Sequence, residues 1–102
     1  MDADSEMGTT GIQAYFKKRC VAAGALVDHF ATPGKVGPPD FLVTWLREPW
    51  PALLELVECK GKNGRLSERQ KRDHAKRAKH GHKVVHLWTK SAVDAYVEFR
   101  RG

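Results

Sequence analysis

Apolar residues recur at helical spacing at Ile12, Tyr15 or Phe16, Cys20 and Ala23, while Lys17, Lys18 and Arg19 fall mostly off that stripe. This predicts a first helix, which Gly24 is placed to end. Residues 25–31 lean toward β structure and read as a first strand. The following residues 32–39 carry too much Gly and Pro for regular structure, and they lead through Asp40 into a second strand at 41–45. Residues 53–60 form an apolar run that alternates through Leu54, Leu56 and Glu58 before Gly61, Asn63 and Gly64 break it, which predicts a third strand. Ser67 with Gln70 three residues later is a capping-box pattern opening a helix over 67–80, closed by Gly81. Residues 82–88, apolar at Val84, Val85 and Leu87, give a fourth strand. Ser91 and Asp94 have the spacing of a cap for a last helix, with Val93, Tyr96 and Val97 facing inward. The order is α-β-β-β-α-β-α, an α/β chain with a four-stranded sheet flanked by helices. Residues 1–10 read as a mobile leader and residues 11–102 as one domain.

Composition narrows the partners rather than the fold. The chain has 102 residues, enough for one modest core and not for two. A hydrophobic content of 41% beside 29% charged residues suits a folded chain rather than a disordered one. The net charge of +6 favours a polyanionic partner without separating DNA from RNA or anionic lipid. Much of that charge lies on the predicted helix 67–80. There Arg69, Lys71, Arg72, Lys76, Arg77 and Lys79 stand against Glu68 and Asp73, a local excess of +4. A solvated helix face is the plain reading of such a run. A phosphate-binding face is the reading that its place beside the acidic residues favours. Lys35, Lys62 and Arg65 sit on flanking loops and extend the basic track. No apolar run approaches the ~20 residues needed to cross a bilayer, and the first ten residues lack a signal-like pattern, so a cytosolic protein with no membrane partner is expected. Cys20 and Cys59 show no paired spacing and are expected as reduced thiols without a disulfide partner.

The chemistry gathers at the end of the third strand. Side chains at i and i+2 leave the same face of a strand, so Glu58 and Lys60 project together. Such a pair alone is most often a weak surface ion pair. If the second and third strands pair antiparallel through residues 47–51, Asp40 comes to lie beside Glu58. Two carboxylates and an amine at one sheet edge are what divalent-metal hydrolysis of a phosphodiester needs, the acids to hold Mg²⁺ or Mn²⁺ and the cation to orient water or neutralise charge.

Pro39-Asp40, then Glu58-Cys59-Lys60, then Gln70 resembles the PD-(D/E)XK nuclease signature, and the fuller pattern GPPD…VECKGKNGRLSERQ…HGHKVVHLW is similar to its VRR-NUC branch, of the stand-alone phage or bacterial type. The resemblance runs from about Ile12 to Phe99. It implies a restriction-endonuclease-like core with a mixed sheet. It also implies a bacterial or phage-infected host cytosol and a homodimer that cuts branched DNA such as four-way (Holliday) junctions in DNA repair. In that reading Asp40 and Glu58 bind Mg²⁺ or Mn²⁺ with the backbone carbonyl of Cys59, Lys60 acts on the water, and Gln70 lies beside the metal as well as in the capping box. Members of this family usually carry a Glu in the first helix near the metal. Here Gln13 stands at what looks like the equivalent place, with Glu6 of the leader as a substitute carboxylate.

Other candidates carry less. His74, His80, His82 and His86 suggest zinc, but His80 and His82 straddle a helix break and no cysteine pair accompanies them. His74 is a general-base candidate if it faces the acids; the simpler reading is a partly buried polar residue. Trp45 and Trp88 lie in apolar strands and read as core, which leaves Trp50, flanked by prolines, free for a partner. The rival to a nuclease is a basic nucleic-acid-binding module without catalysis, and RNA remains open as the substrate.

Overall fold

In a computed structural model that describes residues 8–32, 34 and 37–101, the elements follow the expected order. They are α1 (Thr9–Ala22), β1 (Leu26–His29), β2 (Phe41–Arg47), β3 (Trp50–Cys59), α2 (Glu68–Lys79), β4 (Val84–Leu87) and α3 (Lys90–Arg101). Residues 1–7 of the expected leader, Glu6 among them, lie outside the described residues, as does Lys35. Thr9 and Thr10, placed in the leader by their polarity, belong to α1, because Gly8 has the extended backbone of a helix N-cap. Among the described residues no helix is long and apolar enough to cross a membrane.

The sheet runs β1-β2-β3-β4. The first two pairings are antiparallel and β3–β4 is parallel, so the sheet is mixed. Strand periodicity sorts its two faces. Phe41, Val43 and Trp45 of β2 and Val57 and Cys59 of β3 face one side, where they form the core with Ile12, Phe16 and Cys20 of α1 and with Val93, Tyr96 and Val97 of α3. Phe16 stacks on Phe41 at 5.4 Å and tilts against Tyr96 at 5.5 Å, tying both helices to the strands. Both cysteines are free and buried, and burial pushes the Cys20 thiol up to about 12. Among the described residues the other face is covered at one end, where α2 lies over the ends of β3 and β4. The rest is a cleft of about 390 Å³ lined by Phe30, Leu42, Leu54 and Leu56 among others.

The helix boundaries have local causes. Ser67 and Gln70 form the complete capping box of α2, and Gly24 and Gly81 take positive φ just beyond α1 and α2. The cap of α3 departs from the expected one. Thr89, not Ser91, accepts the Ala92 N–H at 3.0 Å, which starts the helix at Lys90 and places Ser91 inside it. The sequence holds two hydroxyl residues two apart, and spacing alone favoured the wrong one.

Gly61 is fixed by a close approach. Its N–H donates to the Thr9 hydroxyl at 2.9 Å, and a Cβ there would stand 2.6 Å from the backbone of Gly8 and Thr9. This contact pins the start of α1 to the turn after β3. Because the obstacle is backbone, Gly61→Ala is expected to lower stability by about 1–3 kcal/mol. Urea unfolding followed by tryptophan fluorescence reads it, and parental stability would contradict the close approach.

Candidate active site

The β2–β3 register, Phe41 opposite Val57, sets Asp40 beside Glu58 at the end of the hairpin. The two acids are held from opposite faces of the sheet. On the α1 side, Asp40 Oδ2 accepts the Cys59 backbone N–H at 2.9 Å and the Gln13 side-chain amide at 3.1 Å. On the α2 side, Glu58 Oε2 accepts from Gln70 Nε2 at 3.2 Å and lies 3.5 Å from Lys60 Nζ. Gln70 makes two contacts at once: its Oε1 accepts the Ser67 N–H in the capping box while its amide nitrogen donates to Glu58.

Glu58 is 2% exposed, unusual for a carboxylate. Burial pushes its carboxyl up to about 7, the nearby Asp40 charge adds to the rise, and Lys60 and Gln70 restrain it. Its Oε1 is buried without a hydrogen-bond partner, 3.9 Å from His74 Nε2, which is likewise unpartnered. His74 is buried, and its Nδ1 lies 2.7 Å from His86 Nε2. Burial depresses both imidazoles below the usual range, in His74 with help from the neighbouring His86. The sequence offered His74 as a general-base candidate and His86 only as one of four possible zinc ligands; the i+4 spacing of His74 from Gln70 was the available signal, while the pairing of His86 opposite Glu58 is set by the β3–β4 register.

An unpartnered, buried carboxylate oxygen next to a second carboxylate fits a hard divalent cation. The oxygen donors at hand are the carboxylates of Asp40 and Glu58. The Cys59 thiol is no ligand at neutral pH, since it packs in the core and burial raises it well above the ordinary thiol range. Among the described residues no three His, Cys, Asp or Glu side chains converge as a metal cluster, so the four histidines give a zinc site no support.

The cations divide by orientation. Lys62, Arg65, Arg69, Lys71, Arg72 and Lys76 are exposed around the site and along α2. Arg77 is turned inward: it pairs with Asp73 at 2.7 Å and lies over the Phe30 ring at 4.9 Å. On the far side of Asp40 a cleft of about 300 Å³ is lined by Gln13, Lys17 and His29, and the last two escaped the sequence reading. Lys17 stands one helical turn after Gln13, a spacing that was available as a signal.

The VRR-NUC domain family matches residues 13–90. A solved VRR-NUC domain is similar, with 31% sequence identity and a TM-score of 0.74, covering 88% of this chain and 94% of its own. No curated protein matches significantly.

The raised Glu58 carboxyl has a stability consequence. A group whose folded value is above its unfolded one contributes stability below the unfolded value, and that contribution is lost as pH rises through the folded value. For Glu58 the window runs from 4.5 to about 7 and corresponds to on the order of 3 kcal/mol. The depressed His74 and His86 act in the opposite sense, so the comparison with Glu58→Gln isolates the effect. In EDTA the variant is expected to match the parent below about pH 4.5, to become progressively more stable than the parent as pH rises from 4.5 to about 7, and to keep a constant advantage above that. A stability difference independent of pH would contradict the burial argument.

Proposed function

The chain belongs to the VRR-NUC domain family, and from that premise we propose that it is a metal-dependent, structure-specific endonuclease that hydrolyses phosphodiester bonds in branched DNA such as four-way junctions. The observation that carries this reading is Glu58: a buried carboxylate with one unpartnered oxygen, beside Asp40, next to Lys60. Such a group calls for further compensation, and a bound cation beside the second carboxylate supplies it. Asp40, Glu58 and the Cys59 carbonyl would hold Mg²⁺ or Mn²⁺, which when bound supplies Lewis acidity to the scissile phosphate. Lys60 orients the attacking water and offsets developing charge. Gln70 steadies Glu58, and Gln13 steadies Asp40.

Gln13 also explains how the site works without a carboxylate in the first helix. Its amide donates to Asp40 rather than adding a charge, which leaves fewer anionic ligands and favours one ion over two. The exposed cations of α2 and of the turn after β3 hold phosphates without reading bases. A homodimer supplies one active site per strand. Its contact would use the exposed apolar residues of the β2–β3 hairpin, Leu46, Leu54 and above all Trp50, which is 75% exposed.

The rival, a binding module without catalysis, shares the basic helix and differs at the acids. Glu58→Gln is expected to abolish cleavage of four-way DNA in Mg²⁺ or Mn²⁺ while DNA binding persists, and Lys60→Ala to abolish cleavage with metal binding largely intact. A folded Glu58→Gln protein that cuts at the parental rate would sink the nuclease assignment. Binding has its own test. Replacing Lys71, Arg72 and Lys76 by Ala is expected to reduce the slope of log affinity against log salt by about 2–3 on all DNA sequences alike. An unchanged slope would assign these charges to a solvated face.

A further inference from the structure

Lys60 and Gln70 account for one oxygen of Glu58; the other faces His74. The separation of 3.9 Å exceeds a hydrogen bond by about 1 Å, so in this structure the two atoms face each other without bonding. The His74 ring is 4% exposed, lies side by side with His86 with the two planes 16° apart, and also has the Gly37 backbone beside it as a hydrogen-bonding group. With both rings neutral, only one proton occupies the 2.7 Å contact between His74 Nδ1 and His86 Nε2, so the direction of donation decides what His74 shows to Glu58. If His86 donates, His74 carries its proton on Nε2 and presents an N–H to the carboxylate. If His74 donates, a nitrogen lone pair faces an oxygen lone pair. An ionised Glu58 selects the first arrangement. His86 packs in turn against Trp88, whose ring meets it edge-on at 5.9 Å and whose indole N–H donates to the Gly64 carbonyl at 2.7 Å, in the turn that follows Lys60.

The geometry points to a donor chain running from His86 to His74 to Glu58, in which His74 is a positioning residue that fixes the rotation of the Glu58 carboxylate toward its cation. The chain gives each of these two buried orphan atoms a partner, and the second lone pair of that carboxylate oxygen stays open to the cation. It deepens the proposed metal site and rests on it, since an outer partner that orients a ligating carboxylate matters chiefly through metal affinity.

Two measurements decide it. Long-range ¹H–¹⁵N NMR of the parent protein at alkaline pH reads the tautomers directly. His74 is expected to be protonated at Nε2 and bare at Nδ1, with His86 protonated at Nε2. A proton on His74 Nδ1 overturns the chain. Calorimetric titration of Mn²⁺ into DNA-free protein reads the positioning role. His74→Phe, which keeps a ring and loses the donor, is expected to weaken Mn²⁺ binding by about tenfold or more, and His74→Gln, which keeps an N–H, to recover most of it. A folded His74→Phe protein with parental Mn²⁺ affinity overturns the positioning role. If the parent itself takes up no Mn²⁺, the metal reading of the site falls, while the tautomers still decide the donor chain.

Discussion

Burying the carboxylate of Glu58 at the end of a central strand constrains everything around it. A charge in that position demands partners, and Lys60, just past the end of β3, and Gln70, from the first turn of α2, supply them. Asp40, at the facing strand end, works the other way and raises the carboxyl. The capping box of α2 does more than start a helix, because the residue that closes it also donates to Glu58. The contact of Gly61 with Thr9 brings α1 to the same end of the sheet, so that Gln13 reaches Asp40. The site is therefore built from both layers that sandwich the sheet.

The same strand carries a second buried acid with the opposite outcome. Glu55, three residues before Glu58, points to the face packed by α1 and α3. Burial pushes its carboxyl up, but two hydrogen bonds from Arg100, at 2.7 and 2.8 Å, and one from Tyr96 at 2.7 Å outweigh that and hold it below the usual range. Trp45 completes the network by donating to the Tyr96 hydroxyl at 3.1 Å. Glu55 is a satisfied structural ion pair. Glu58 has one oxygen without a hydrogen-bond partner in this structure and a carboxyl pushed up to about 7, and that contrast, not burial alone, sets it apart from an acid that holds helix to sheet.

Much of this was legible in the sequence because it follows from local rules. Strand alternation, the Ser67–Gln70 box, and Gly24 and Gly81 each act within a few residues, and antiparallel pairing of two adjacent strands then brought Asp40 to Glu58. What escaped depends on contacts between elements distant in the chain. Glu55 alternates with Val57 and Cys59, which marks it as core-facing, yet its partner Arg100 sits on the last helix. Arg77 resembled its basic neighbours until the helix was docked and its guanidinium fell between Asp73 and Phe30. His74 and His86 were visible as histidines, but only the docking of α2 against β4 shows that they meet each other and Glu58.

The central claim is that Asp40 and Glu58 form a cation site rather than a buried ion-pair cluster. Anomalous diffraction from crystals soaked in Mn²⁺ tests it most directly. The predicted result is a manganese peak between the two carboxylates, within bonding distance of the Cys59 carbonyl, that disappears in Glu58→Gln crystals. Manganese absent from that position in the parent protein, or unchanged there in the variant, would contradict it.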